Sequence, residues 1–150
     1  MRRLGLAALL LVLAGGCIRL EPETARNEIR DQIVVDALGQ IGRPYRYGGS
    51  SPAGFDCSGL VQYVYAQSGR KTPRTAREQH RAARVIPLAE ALPGDLLFYR
   101  FGDRGVDHVA IYLGDGQAVH APANGKAVIV AAVDLAFWRR RFVSAGRLLE

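Results

Sequence analysis

The sequence contains little cysteine and no long apolar run. Cys17 and Cys57 are the only cysteines among its 150 residues, which excludes a scaffold held together by several disulfides. The most apolar stretch, Leu4 to Ala14, is shorter than the roughly 20 residues of a membrane-spanning helix. Internal repeats and low-complexity segments are also lacking after this stretch, which excludes a repeat architecture.

Length and composition indicate one domain with a modest positive charge. A chain of 150 residues that is 49% hydrophobic can bury one core without staples. Without Arg2 and Arg3, 18 of the 20 basic residues and all 14 acidic residues remain, and the net charge falls from +6 to +4. The basic groups are interpreted either as a solvated face or as an attraction for anionic polymers such as cell-wall glycan or lipid head groups. The densest are Arg139, Arg140 and Arg141, and the near-helical series Arg74, Arg77, Arg81 and Arg84.

The first residues have the pattern of an export signal, with two arginines before the apolar run and two glycines between it and Cys17. The segment 13–17 resembles the cleavage box of bacterial lipoproteins, in which the cysteine becomes the lipidated first residue. Ala14 departs from that box, which usually carries Leu there. The sequence predicts a signal peptide over 1–16 and a lipidated Cys17 with a tether over 17–28; a plain secretory signal is the alternative. Export argues against a nucleic-acid partner.

Lipidation of Cys17 leaves Cys57 without a partner. An unpaired thiol in an exported protein is notable because oxidising compartments tend to pair structural cysteines. The alternative is a disulfide between Cys17 and Cys57, which ties the tail to the core and blocks the thiol. Cys57 follows the turn Gly54-Phe55-Asp56 at the first turn of a predicted helix. The helix dipole and its free N–H groups favour the reactive thiolate at that position, so Cys57 is a candidate nucleophile.

Hydrophobic periodicity predicts helices in the first half and strands in the second. Spacings of three and four predict a helix from about Ile29 to near Gly42 and another from about Asp56 to Gln67. A Gly-, Pro- and Ser-rich loop is predicted over 43–55, and a short helix over 75–83. Period-two segments predict strands at 96–99, 108–113, 118–121, 127–133 and 142–148, with a hairpin turn at 114–116. This order predicts an α+β domain over 29–150.

Two histidines can complete a site around Cys57. His108 begins one predicted strand and His120 ends the next. His108 can hold the thiol proton and deliver it to a leaving amine, while His120 orients the first imidazole. The backbone N–H of Cys57 and the phenol of Tyr45 can stabilise the oxyanion that attack on a carbonyl creates.

Each residue also has an ordinary interpretation. A lone cysteine is often a small hydrophobic residue, a strand-end histidine is often a surface or core residue, and Tyr45 can simply pack its loop. His80 is predicted as a helix-surface residue without a partner. Cys57, His108 and His120 can also be three zinc ligands, but no CxxC, HxxxH or carboxylate cluster supports a dedicated metal site. An inactive wall-binding protein is the remaining non-catalytic alternative.

Six sequence blocks resemble the NlpC/P60 family of papain-like bacterial cell-wall cysteine peptidases, over roughly 29–148. The blocks, in order, are Pro44-Tyr45-Arg46-Tyr47-Gly48-Gly49, Asp56-Cys57-Ser58-Gly59-Leu60-Val61, Pro73-Arg74-Thr75, Pro93-Gly94-Asp95-Leu96, His108-Val109-Ala110-Ile111-Tyr112-Leu113-Gly114 and Val119-His120-Ala121. The resemblance implies a nucleophile helix packed on an antiparallel sheet, and hydrolysis of amide bonds in peptidoglycan stem peptides. Thiol amidase or acyl-transfer chemistry is the closest alternative.

The resemblance also implies roles for individual residues. Cys57 matches the nucleophile, His108 the general base and His120 the third polar residue, and Tyr45 matches a tyrosine near the oxyanion. Asp56 and Ser58 match positions that hold the amino group of the substrate in some members. The resemblance implies no metal and no organic cofactor, and it names no regulatory protein. Because only 17–28 precede the predicted core, specificity is expected from the segments 43–55 and 102–107. A lipid anchor, with Ile18 after the cysteine, predicts an outer-membrane position facing the periplasm.

Overall fold

The computed structural model describes residues 22–123 and 126–149. The predicted signal peptide, Cys17 and the first part of the predicted tether lie outside the described residues. The helices are α1 (Glu23–Leu38), α2 (Cys57–Gln67), α3 (Ala76–Ala82) and α4 (Ala136–Arg139). The strands are β1 (Ser50–Ser51), β2 (Gly54–Phe55), β3 (Arg84–Ile86), β4 (Leu96–Tyr99), β5 (His108–Gly114), β6 (Gln117–His120), β7 (Ile129–Ala132) and β8 (Phe142–Arg147). The α+β class is confirmed.

The main sheet is antiparallel and has the strand order β3-β8-β4-β5-β6-β7. All four residues of β4 are buried because hydrophobic clusters cover both faces of the sheet. Helices α1, α2 and α3 pack on one face, and Trp138 of α4 packs on the other. The predicted hairpin joins β5 to β6, and Asp115 there adopts a φ of 49° between two glycines of positive φ. Tyr99 pairs with His108, so His108 enters the sheet opposite the end of β4.

The helix that carries Cys57 packs as its periodicity predicts. Leu60, Val61, Val64 and Tyr65 are all at most 1% exposed and form its buried side. Asp56 caps this helix, since one oxygen of its carboxylate accepts a 2.7 Å hydrogen bond from the backbone N–H of Gly59. Capping by an aspartate satisfies one of the free N–H groups of a first turn. The cap and the buried side fix the orientation of Cys57.

The boundaries of α1 differ from the prediction. The helix begins at Glu23, inside the predicted tether, and ends at Leu38, before the predicted end near Gly42. Ile33 and Ala37 are buried as predicted, but Leu38 and Ile41 are 41% and 47% exposed. Arg30 explains part of this difference, because it donates a 2.9 Å hydrogen bond to Asp95 and fixes the first half of the helix to the sheet. No helix within the described ranges has the length and apolarity needed to cross a membrane.

The sequence prediction missed five short elements, one of which is the 3-10 helix Leu88–Glu90. Strands β1 and β2 form a small ribbon inside the predicted loop 43–55, and β3 pairs with β8 at the edge of the main sheet. The four-residue helix α4 lies between β7 and β8. Segments of two to four residues are too short to show periodicity, so only their tertiary pairing reveals them.

Candidate active site

Cys57 is the first residue of α2, and its side chain reaches the start of β5. The sulfur lies 3.9 Å from the carbonyl oxygen of Asp107, and the backbone N–H of Val109 donates a hydrogen bond to it. These two backbone groups flank His108 in the chain. The cysteine is a free thiol. The turn before α2 and the first residues of β5 therefore bring the predicted nucleophile beside the predicted base.

His108 and His120 form a direct pair on neighbouring strands. The Nε2 atom of His108 lies 3.1 Å from Nδ1 of His120, and the two ring planes are within 5° of parallel. Both side chains are buried, with 6% and 0% exposure. The predicted contact between the two histidines is present. Since Nε2 of His108 faces His120, Nδ1 is the ring nitrogen that remains for the thiol.

Burial disfavours the charged forms of Cys57, His108 and His120. It lowers the pKa of His108 to about 4, although the carboxylate of Asp107 acts in the opposite direction. Burial and the neighbouring His108 lower the pKa of His120. Burial also raises the pKa of the Cys57 thiol, and the hydrogen bond from Val109 opposes this only in part. Desolvation thus acts against the thiolate that the helix terminus favours, and it outweighs the terminal N–H groups in the raised pKa of Cys57.

Asp56 and Ser58 do not line the cleft. Arg74 makes a bidentate contact with Asp56 at 3.0 and 2.6 Å and donates a third hydrogen bond to the hydroxyl of Ser58 at 3.0 Å. The backbone N–H groups of Gly48 and Gly59 also donate to Asp56. The carboxylate thus holds the junction between the loop 43–55 and α2. Arg74 belongs to the block Pro73-Arg74-Thr75, but nothing in the sequence indicated that it binds Asp56 and Ser58.

A cleft of about 620 Å³ opens over Cys57 and His108, and its walls are largely apolar and aromatic. Tyr45 lies in this wall as predicted, and burial together with the charges of Cys57 and Asp56 raises its pKa. Tyr47 is 91% exposed and is not part of this wall. The described residues that line it are Tyr45, Cys57, Phe101, Asp107, His108, Ala121, Pro122, Ala123, Ile129, Phe137 and Trp138.

Part of this wall comes from segments that the sequence prediction did not assign to the site. Phe137 and Trp138 belong to α4, and Ala121 to Ala123 follow β6. The indole of Trp138 stacks on His120 with ring centroids 3.7 Å apart and planes 22° apart. The only sequence signal was an isolated tryptophan beside the block of three arginines, which fits a surface residue equally well.

The zinc alternative does not fit the donor geometry. The nearest nitrogens of the two imidazoles are hydrogen-bonded to each other and do not converge on a common point with the thiol. Within residues 22–123 and 126–149, no group of three or more His, Cys, Asp or Glu side chains is arranged to hold a metal ion.

The third histidine differs from its prediction. His80 is half-buried on α3, its Nε2 atom lies 3.0 Å from the hydroxyl of Ser144, and its ring contacts Phe98 edge-on. It therefore joins α3 to the sheet, and its interpretation as a surface residue without a partner is wrong.

Comparison with known proteins identifies relatives of this chain. The model of the NlpC/P60 family matches residues 42–147. The chain is 44% identical over 115 residues to murein DD-endopeptidase MepH of Escherichia coli, covering 73% of this chain and 42% of that protein. It is 37% identical over 132 residues to the bifunctional muramidase/DL-endopeptidase CwlT of Bacillus subtilis, covering 86% and 40%. The chain thus spans less than half the length of these two curated relatives.

Solved structures share the fold. The peptidoglycan hydrolase RipB from Mycobacterium tuberculosis matches with a TM-score of 0.74 and 35% identity, covering 87% of this chain and 69% of that one. The NlpC/p60 domain of the peptidoglycan hydrolase SagA matches with a TM-score of 0.70 and 41% identity, covering 79% and 98%. The papain-like α+β prediction is confirmed by these neighbours.

Proposed function

The chain belongs to the NlpC/P60 family, and from this membership and the site geometry we propose that it is a cell-wall cysteine peptidase. Its substrate class is the peptidoglycan stem peptide, and its reaction is hydrolysis of an amide bond. The observation that carries the proposal is the contact of His108 with His120 beside a free thiol at a helix N-terminus, inside an open cleft. Relatives named as murein and peptidoglycan endopeptidases support the substrate class.

The proposed first step is transfer of the thiol proton from Cys57 to His108. For Nδ1 of His108 to be the base, its own proton must lie on Nε2 and be donated to Nδ1 of His120, 3.1 Å away. His120 then carries its proton on Nε2 and stabilises the cation that forms on His108. Because burial disfavours both the thiolate and the imidazolium, the thiolate is proposed to form as it attacks the carbonyl carbon.

Attack produces a tetrahedral oxyanion. The backbone N–H of Cys57 at the helix terminus and the phenol of Tyr45 are the proposed donors. His108 returns its proton to the leaving amine, which breaks the amide bond and leaves a thioester on Cys57. Water, deprotonated by His108, then hydrolyses the thioester and restores the thiol.

Asp56 and Ser58 are proposed to act through Arg74. Recognition of a substrate amino group by Asp56 is not supported, because five hydrogen bonds from protein groups already occupy its carboxylate. Their proposed task is to hold the turn that presents Cys57, which makes them positioning residues.

The test is digestion of purified peptidoglycan by the full chain in detergent, beside its Cys57→Ala variant, with products identified by mass spectrometry. New stem-peptide fragments with free amines are expected from the intact thiol only. Fragments from both proteins overturn the mechanism. An amidase produces a glycan freed of its peptide, and an acyltransferase joins two peptides without freeing a carboxylate, so the products separate these alternatives.

We also propose that Cys17 carries a lipid anchor in the outer membrane. The five residue-to-residue steps from Cys17 to Pro22 span at most about 18 Å, so the start of α1 stays close to the bilayer. A small cavity is lined by Glu23, Arg26 and Arg30 of α1 together with Arg84 and Arg147. It lies near the first residue of β4, whereas Tyr99 and His108 lie at the other end of that strand. This arrangement favours a cleft that faces away from the membrane.

The anchor is tested by growing cells with an alkyne fatty acid and comparing the wild type with Cys17→Ser. Incorporation into the wild type alone supports lipidation. Equal labelling, or none in either chain, overturns it in favour of a plain secretory signal. Fractionation of inner and outer membranes then tests the outer-membrane assignment.

A further inference from the structure

Trp138 makes the closest ring contact to the histidine pair. Its indole lies nearly parallel to both imidazoles, 3.7 Å from His120 and 5.3 Å from His108 between ring centroids, with interplanar angles of 22° and 21°. The side chain is only 4% exposed. One flat surface therefore covers the same side of both rings, whose planes are within 5° of each other.

A second layer of side chains holds the indole. Phe137 and Phe101 meet it edge-on at 5.0 and 5.9 Å. The guanidinium of Arg141 lies over both phenyl rings, at 4.2 Å from Phe137 and 4.9 Å from Phe101, and donates a 2.7 Å hydrogen bond to the carbonyl of Phe137. Arg141, part of the basic block in the sequence, thus braces a short helix that has few hydrogen bonds of its own.

We propose that Trp138 is the positioning residue that fixes the ring planes of His108 and His120 and shields the pair from water, so that His108 meets the thiol as a neutral base. This inference rests on the proposed function, because it assigns the indole a task in the same proton transfer. A rotated imidazole loses its alignment with either Cys57 or His120, since one ring nitrogen must serve each partner. A flat hydrophobic surface prevents that rotation and offers no competing hydrogen bond.

On the side of the imidazole rings that the indole covers, Trp138 is the main group that shields the pair from water. Among the described residues, the titratable groups around the imidazoles are Cys57 from α2, Tyr99 from β4, Asp107 beside β5 and, across the cleft, Tyr45 from the loop 43–55. Arg141 stands behind the phenyl layer and Trp138 itself is uncharged. Burial is the main cause that lowers both imidazole pKa values. Loss of the indole admits water to one side of both rings, and we expect both values to move toward 6.5.

The first test follows the histidine signals by NMR during pH titration of the full chain in detergent, in Trp138→Leu, Trp138→Phe and the control Phe142→Leu. Phe142 contacts Tyr99 but neither imidazole in the described contacts. In Trp138→Leu the signals of His108 and His120 are expected to titrate at least one pH unit closer to 6.5. Trp138→Phe should shift less, and Phe142→Leu should match the wild type. The His80 signal serves as an internal control.

The second test measures kcat and KM for a stem-peptide substrate against pH. Misorientation of a catalytic group can cost as much as 10²-fold, and we expect Trp138→Leu to lower kcat about tenfold or more. The acid limb of the profile should move up in pH, and Trp138→Phe should recover most of kcat. A purely structural role lowers the amount of folded protein without moving the acid limb.

Failure of this inference can be distinguished from failure of the proposed function. Titration of the imidazoles needs no substrate, so it tests the indole even if peptidoglycan is not cleaved. Unchanged imidazole titration in folded Trp138→Leu overturns the inference. If Trp138→Leu does not fold, Trp138→Met takes its place, and unchanged imidazole titration together with an unchanged acid limb in that variant overturns the inference.

Discussion

The His108–His120 pair shows how much burial alone changes a side chain. Water stabilises an imidazolium, and neither ring has appreciable access to it. The acidic neighbour Asp107 only partly offsets the lost hydration of His108. A group whose folded pKa lies below its unfolded value contributes stability above the unfolded pKa, and that stability is lost as the pH falls.

Acid should therefore destabilise the protein before its carboxylates are protonated. With a pKa of about 4 for folded His108 and 6.5 for the unfolded chain, linkage predicts a loss of about 2 kcal/mol between pH 7.5 and pH 5. Urea unfolding of the full chain at both pH values measures this. In His108→Gln the loss should shrink. An equal loss in that variant would show that other groups cause it.

The catalytic rate should depend on the same burial. Because His108 stays neutral well below 6.5, the acid limb of kcat/KM for stem-peptide cleavage is expected below pH 6, with activity extending into mildly acidic solution. Initial rates between pH 4 and pH 9 measure it. An acid limb at 6.5 or above contradicts the desolvated site.

The junction between the loop 43–55 and α2 depends on close backbone approach. A Cβ atom on Gly59 would collide with the carbonyl oxygen of Gly49, and one on Gly49 would collide with that of Gly54. The N–H of Asp56 donates to the same Gly49 carbonyl at 2.9 Å. Glycine at these positions lets the loop cross the first turn of the nucleophile helix.

Substitution of Gly59 should consequently displace this junction. We expect Gly59→Ala to lower the free energy of unfolding by about 2 kcal/mol or more, in the range of overpacked sites, and to reduce peptidase activity because the turn at Cys57 moves. Gly39→Ala is the matched control, since a Cβ there meets its nearest atoms at an ordinary 3.4 Å. Chemical denaturation of both variants decides; equal stability contradicts the steric argument.

The cap of α2 gives a second prediction for this element. Asp56→Ala removes the cap acceptor and the partner of Arg74, and should cost about 1–2 kcal/mol. Asp56→Asn keeps an acceptor for Gly59 and should cost less. Thermal unfolding and the rate of Cys57 alkylation measure stability and presentation of the thiol. An alanine variant as stable as the wild type would show that the cap is dispensable.

Asp95 connects distant parts of the whole molecule. Its fully buried carboxylate accepts hydrogen bonds from Arg30 of α1 at 2.9 Å and from Arg147 of β8 at 2.7 Å, immediately before β4 begins. The hydroxyl of Tyr65 on α2 donates to the neighbouring carbonyl of Gly94 at 2.6 Å. Two helices and two strands therefore meet at this point, at the end of β4 away from the cleft.

Removal of that charge should affect global stability. Breaking a buried ion pair by removing one partner typically costs about 3–5 kcal/mol. We expect a loss of this size in Asp95→Asn because the negative charge that Arg30 and Arg147 both contact is removed. Asp31→Asn, at an exposed position of α1, is the control. Guanidinium unfolding compares them. A loss below 1 kcal/mol for Asp95→Asn would show that solvent compensates the arginines.

The sequence by itself determined the features that depend on local pattern. Helix α2 with its buried side, the β5–β6 hairpin and the approach of Cys57 to two histidines follow from periodicity, turn residues and motif order. The helix and the hairpin are each encoded within about ten consecutive residues, so neighbouring side chains suffice to specify them. The approach of the two histidines to Cys57 was predicted only from the order of the motif blocks along the chain.

Only the tertiary structure decided the environment of those residues. Segments far apart in the chain bury Cys57 and His108, which raises the pKa of the thiol and lowers that of the imidazole. The contact of Trp138 with both imidazoles also joins distant segments. The engagement of Asp56 by Arg74 and of Asp95 by two arginines likewise joins positions 18 to 65 residues apart. Desolvation and long-range pairing depend on which elements pack together, and local sequence carries no record of that.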